Sequence, residues 1–283
     1  MQEPFFFRRG EHKLFGMYFS PEHPFKDTGV VLCNGYGKEY PIIRSPLVGF
    51  ARELARHGFA CLRFDYAGYG DSEGEFADAT ITSMCDDIET AIEQLKIKSG
   101  VKHVGLLGTR FGSTLATLVA ARRPDTSHLI LWEPVLQPWD YLFSELRQTV
   151  AMQTIMFRKV LFTREQIVEN LLASRPSLSD GYDFNCIDEG FPLGKGLVLE
   201  AKETDLLKAL PALKTKTLLV HVRKNNGAIP KKLGAFVDAL TEQGATCQTE
   251  VAIEPTLFWK HEKEYAVRCP DVYAKTLTWL EGM

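Results

Sequence analysis

Val104-Gly-Leu-Leu-Gly108-Thr-Arg110-Phe-Gly112-Ser-Thr-Leu-Ala116 decides how this chain is read. A short apolar run reads as a buried strand, the two glycines frame one residue at a sharp turn, and the alanine-rich segment beyond reads as a helix. Strand, framed turn and helix in that order make the G-x-S-x-G pattern of a nucleophile elbow. The framed residue here is Arg110, and a guanidinium stays protonated in a protein and cannot attack a carbonyl or phosphoryl centre. Gly108 and Gly112 nevertheless predict that the turn survives, with Arg110 at its apex and φ above zero, a strain of about 1 to 3 kcal/mol.

Outward from that stretch the chain alternates strands and helices. Residues 5–7 and 13–19 read as an antiparallel pair around the turn Arg8-Arg9-Gly10-Glu11. Residues 29–33 form a buried strand ending at Asn34-Gly35-Tyr36-Gly37, and 45–57 have helical spacing that stops at Gly58. A strand at 59–64 precedes the glycine-rich loop Asp65-Tyr-Ala-Gly-Tyr-Gly-Asp-Ser-Glu-Gly74, then a helix at 80–97, the elbow, a helix to about residue 122 and a strand at 129–132. This rhythm predicts an α/β fold with a mostly parallel central sheet and helices on both faces.

From 137 to 192 the alternation breaks. Helices follow one another with no strand expected between them, one at 155–161 and one opened by a capping box at Thr163-Arg-Glu-Gln166. The expected organisation is a core of residues 1–136 and 193–283 with an inserted helical cap at 137–192. A strand at 217–221, a helix at 231–243, a strand at 248–253 and a helix at 270–280 complete the core.

The 283 residues are 45% apolar and 24% charged with net charge -3, enough for one large core. No long basic run marks a nucleic-acid or anionic-membrane partner. Apolar stretches end well short of the ~18 residues a membrane span needs, and Met1-Gln-Glu-Pro4 is unlike a signal peptide, so the expectation is a cytoplasmic protein without a membrane span. Six cysteines without C-x-x-C spacing indicate neither a zinc site nor a disulfide frame, and no metal or cofactor is expected. Oligomeric state has no sequence signal.

With these elements in place, the chain resembles the α/β-hydrolase superfamily over nearly its whole length. Val30-Val-Leu-Cys-Asn34-Gly35-Tyr36-Gly37 is similar to the family strand ending in His-Gly, after which a backbone N–H helps form an oxyanion hole. That resemblance points to Tyr36, with Phe111 after the elbow as the second donor. Phe64-Asp65-Tyr-Ala-Gly68-Tyr-Gly70-Asp71-Ser72-Glu-Gly74 resembles the F-D-x-R-G-x-G-x-S-x-G loop of the serine-aminopeptidase-like branch. The elbow G-x-R-x-G, the strand end Leu131-Trp132-Glu133-Pro134 and Phe258-Trp259 also resemble the second type of hydrolase associated with the exosortase A system, which implies a bacterial exopolysaccharide context.

All three family catalytic positions depart from the pattern. The nucleophile position holds Arg110. After the strand at 217–221, where the resemblance places the acid, stand Asn225 and Asn226, which lack the charge that stabilises an imidazolium. The histidine loop reads Glu254-Pro-Thr-Leu-Phe258-Trp259-Lys-His261, with aromatic residues at the expected position and His261 displaced. His261 has no acid placed to orient it, Ser113 lies in the first helical turn, and Cys33 sits on a buried strand.

A bare cation at a helix start is unfavourable by up to roughly 1 kcal/mol. Arg110 therefore needs an anion, with Glu133 on the neighbouring strand the first choice and Asp65 the second. Either the pair plugs an inactive site, or Arg110 reads a carboxylate, phosphate or acyl-carrier group of a ligand. Asn34, Asp65, Arg110 and Glu133 are the expected pocket residues. The expected function is a catalytically degenerate hydrolase that binds an acylated or anionic small molecule or a protein. The alternative is an active ester or thioester hydrolase using a non-standard nucleophile.

Overall fold

The computed structural model describes residues 1–22, 24–187, 190–208, 213–260 and 268–282. The chain opens with β1 (Gln2–Arg9) and β2 (His12–Phe19), then β3 (Thr28–Cys33), α1 (Glu39–Arg56), β4 (Ala60–Phe64) and α2 (Ile81–Ser99). The elbow region is β5 (His103–Thr109), α3 (Phe111–Arg122) and β6 (Thr126–Trp132). An excursion follows, with α4 (Pro138–Phe157), α5 (Arg164–Leu172), β7 (Leu178–Ser179), β8 (Tyr182–Asp183), β9 (Cys186–Ile187), β10 (Phe191–Pro192) and α6 (Lys195–Glu203). The sheet resumes with β11 (Lys216–Arg223), α7 (Lys231–Glu242) and β12 (Cys247–Ile253), and α8 (Pro270–Glu281) follows.

Eight strands form one sheet in the order β1-β2-β4-β3-β5-β6-β11-β12. β1 with β2 and β2 with β4 are antiparallel, and every later pairing is parallel. Both faces are covered, which explains the continuous apolar runs. In β3 the side chains of Val31 and Cys33 join the core beneath α2, α3 and α7, while Val30 and Leu32 join the core beneath α1 and α8. α3 buries Phe111, Leu115, Ala116 and Val119 against the sheet. A fully buried leucine or phenylalanine stabilises by about 1.5 to 3 kcal/mol, so this face anchors the elbow from behind.

The structure corrects three sequence expectations. α1 begins at Glu39 rather than at residue 45. Pro41 falls in its first turn, where an N–H has no partner within the helix in any case, and Pro46 is accommodated inside it. The helix expected at 155–161 is absent, because α4 runs to Phe157 and ends at Arg158 with φ 56°. Beyond it the Gln153 side chain accepts from the N–H groups of Leu161 and Phe162 at 2.8 Å each and donates to the Phe162 carbonyl at 3.1 Å. One amide thus supplies the partners that helical turns would have given. The excursion also contains two short hairpins, β7 with β8 and β9 with β10, where no strand was expected. The capping box at Thr163 and Gln166 does open α5. Among the described residues no helix is long and apolar enough to cross a membrane.

Candidate functional site

β5 ends at Thr109, α3 begins at Phe111, and Arg110 between them has φ 53° and ψ -121°. The positive φ expected at the apex is present. A Cβ at Gly108 would press on the backbone of Ser113, and one at Gly112 would collide with the carbonyl oxygens of Cys33 and Asn34, so both close approaches require glycine. The apex is pinned by the Arg110 N–H donating to the Trp132 carbonyl at 3.0 Å. The Arg110 carbonyl accepts from the N–H groups of Ser113 at 2.9 Å and Val135 at 3.2 Å.

The Arg110 side chain turns to Glu39 in the first turn of α1. Its Nε lies 3.1 and 3.3 Å from the two carboxylate oxygens, and Nη2 lies 3.1 Å from Oε1. This edge-on arrangement engages one side of the guanidinium fork, and among the described residues no group bonds Nη1. Trp259 and Tyr141 lie against the cation, 5.0 and 5.7 Å from their ring centres. Burial alone would lower the arginine's pKa, but Glu39, Tyr141 and Glu133 outweigh it and hold Arg110 above its ordinary value. Burial raises the pKa of Glu39, with Arg110 opposing and Glu145 of α4 reinforcing. Lys38, next to Glu39, reaches Glu145 at 3.3 Å and so ties the start of α1 to α4.

The expected partners of Arg110 are occupied elsewhere. Glu133 has φ 48°, and its Oε2 accepts from Nδ1 of His221 at 2.8 Å and from the N–H of Val222 at 2.9 Å. Asp65 is fully buried, pairs with Arg63 and accepts from the Asp71 N–H at 3.2 Å. The ion pair at the elbow is therefore Arg110 with Glu39, and the choice of Glu133 first and Asp65 second is corrected.

Tyr36 and Phe111 are buried with rings 5.3 Å apart, and among the described residues neither backbone N–H has a hydrogen-bond partner. Asn34 folds back on its own turn, its Oδ1 accepting from the Gly35 N–H at 2.8 Å. Phe258 is fully buried against Trp132, and Trp259 meets it edge-on and lies against Arg110, so the aromatic loop closes over the elbow. Asn225 and Asn226 are exposed in the loop after β11. His261 lies outside the described residues.

Other nucleophile candidates are engaged or inert. Ser113 is buried and donates to the Gly108 carbonyl at 2.8 Å. Cys33 is fully buried, and desolvation pushes its thiol pKa well up, away from the reactive thiolate. Among the described residues no cluster of three histidine, cysteine or acidic side chains is arranged to hold a metal ion.

Sequence reasoning missed Glu39 and His221. The signal for Glu39 was an acidic residue two positions after Gly37, at the start of a helix with Pro41 in its first turn. For His221 it was a polar residue at the end of an otherwise apolar strand.

Comparison with known proteins agrees with this architecture. Residues 26–249 match the model of the serine aminopeptidase, S33, family. An uncharacterized 31.7 kDa protein of Escherichia coli, from the traX-finO intergenic region, is 32% identical over 95 residues, which is 32% of this chain and 32% of that protein. The AB hydrolase superfamily protein YisY of Bacillus subtilis is 26% identical over 187 residues, 61% of this chain and 66% of that protein. The chain thus spans less than two thirds of these relatives' lengths. The proline iminopeptidase structure from Mycobacterium smegmatis superposes with TM-score 0.63 at 15% identity, covering 99% of this chain and 98% of that one, a likeness of fold. The sheet order, the elbow and a family match over most of its length together place the chain in the serine aminopeptidase, S33, family of α/β hydrolases.

Proposed function

We propose that this protein binds an acylated small molecule at the elbow without forming the acyl-enzyme of serine-type relatives. The observation that carries the reading is the Arg110–Glu39 pair at the apex, where a covalent mechanism requires a nucleophile. Glu39 fixes the cation and cancels its charge, while Nη1 stays unengaged among the described residues and the arginine side chain remains 17% exposed. A net-neutral, oriented donor favours the carbonyl oxygen of an ester, thioester or amide over a free anion. The N–H groups of Tyr36 and Phe111 add donors of the oxyanion-hole kind. In this reading Arg110 replaces the family serine, Asn225 or Asn226 the acid, and Phe258 and Trp259 the histidine, with residues 137–192 as the cap. The exopolysaccharide context is part of the same proposal and rests on the elbow, strand-end and Phe258-Trp259 motifs alone.

Two measurements test it. A fluorophosphonate probe with intact-mass readout is expected to add no mass. Titration with p-nitrobutyranilide, an acyl amide that resists hydrolysis, is expected to raise the melting temperature saturably in the native protein and not in Arg110→Ala. Covalent labelling, or equal binding by Arg110→Ala, would overturn the reading.

A further inference from the structure

The register of the sheet sets three side chains in a row. Thr109 pairs with Trp132, and Trp132 with Val220, so the next residues, Arg110 and Glu133 just beyond β5 and β6 and His221 near the end of β11, where it pairs with β12, stand at one level of the sheet. Two hydrogen bonds fix that level, Arg110 N–H to the Trp132 carbonyl at 3.0 Å and Glu133 N–H to the Val220 carbonyl at 2.9 Å. With strands about 4.8 Å apart, the Arg110 and His221 backbones are on the order of 10 Å apart, with Glu133 on the strand between them.

Glu133 and His221 are built as a pair. The Glu133 carboxylate is held by the Val222 N–H at 2.9 Å and contacts His221 Nδ1 at 2.8 Å, at a residue whose positive φ is a strain that packing must sustain. A carboxylate on Nδ1 selects the tautomer in which Nδ1 carries the proton and Nε2 is the free base, and it stabilises the imidazolium once Nε2 is protonated. Among the described residues no group bonds Nε2. A carboxylate that only spliced β6 to β11 would need no imidazole.

We infer that His221, oriented by Glu133, is a general base that activates water against an ester or thioester carbonyl held at Arg110. The inference rests on the acyl-binding reading above and adds a hydrolytic step without a covalent intermediate. Nε2 takes a proton from water as its oxygen bonds to the acyl carbon, and the carbonyl electron pair moves to the oxygen facing Arg110. The tetrahedral species then collapses, the bond to the leaving oxygen or sulfur breaks, and Nε2 returns its proton to that atom. The products are a carboxylic acid and an alcohol or thiol. His221 is regenerated and Glu133 stays ionised throughout.

The test uses the full chain with p-nitrophenyl butyrate and a butyryl thioester. Turnover is expected without a burst, insensitive to fluorophosphonate, and lowered by about 10²-fold or more in His221→Gln and in Glu133→Gln. Free imidazole should restore rate to His221→Ala, an effect that a purely structural role would not give. Binding of p-nitrobutyranilide separates the two readings. If His221→Gln binds it normally but hydrolyses at the native rate, or if the native protein shows no turnover, the base assignment fails and acyl binding stands. If Arg110→Ala binds as tightly as the native chain, the acyl-binding reading itself fails, and this inference with it.

Discussion

Glu39 and Arg110, 71 positions apart in sequence, meet at the elbow with Arg110 Nε 3.1 Å from Oε1, and Glu39 is almost completely buried. The contact joins the first turn of α1 to the residue that precedes α3, so a cation that a helix N-terminus disfavours is matched by a carboxylate brought from across the sheet. Aromatic rings from two sides, Trp259 and Tyr141, flank the cation.

Arg110→Ser is expected to leave the protein without acyl-enzyme chemistry. The new hydroxyl would face Glu39 and the Trp259 ring, with exposed asparagines at the family's acid position and aromatic side chains at its histidine position. Triad members act as a unit, so one restored member gives no covalent turnover. Intact-mass analysis after fluorophosphonate treatment checks this, and a labelled Ser at position 110 would show that a working base lies within reach.

Gly112→Ala is expected to destabilise by about 1 to 3 kcal/mol or more, because the added methyl meets two fixed carbonyls, those of Cys33 and Asn34. Gly234→Ala, in α7 with nothing near its missing Cβ, should change stability little or raise it by about 0.5 to 1 kcal/mol. Urea unfolding of the two variants separates crowding at the elbow from a general intolerance of substitution.

Much of this was legible before the structure. The runs at β3, β4, β5, β6 and β11 are apolar on both faces, and only a sheet covered on both sides accommodates that. The glycines around Arg110 announced its positive φ by the space they leave. The partner of Arg110 was not legible. Glu133 is its neighbour along the sheet edge, as expected, but a φ of 48° and the Val222 N–H aim its carboxylate at His221. Glu39 was hidden because helical spacing was read only from residue 45, whereas α1 begins at Glu39 with Pro41 in its first turn, where a proline is no obstacle. The hairpins between α5 and α6 have two residues per strand, too few for any period to register.

His128 sets an acid limit on stability. It is fully buried on β6, with Nδ1 2.9 Å from the Ser127 hydroxyl and no partner for Nε2 among the described residues. Burial pushes its pKa down from the ordinary 6.5 to about 3. The neutral ring is thus the folded form, and the unfolded chain binds a proton first as pH falls. Its contribution is fully present above pH about 6.5 and is lost as pH drops towards 3, by about 1.4 kcal/mol per pH unit. His128→Gln should flatten that part of the curve of unfolding free energy against pH, whatever it does to stability at pH 7. An unchanged slope between pH 6 and 4 would assign the acid sensitivity to carboxylates instead.

The most direct measurement of the central claim is a double-mutant cycle on Arg110 and Glu39 by denaturant unfolding at pH 7. Glu39→Ala alone strands a buried cation and should cost about 3 to 5 kcal/mol, and Arg110→Ala alone strands a buried carboxylate. The double variant should recover much of that loss, giving a coupling of about 1.5 kcal/mol or more, while the Arg110 and Glu133 cycle gives a clearly smaller one. Additivity of Arg110→Ala and Glu39→Ala within about 0.5 kcal/mol would contradict the account, because the elbow arginine would then be free of the partner that defines it.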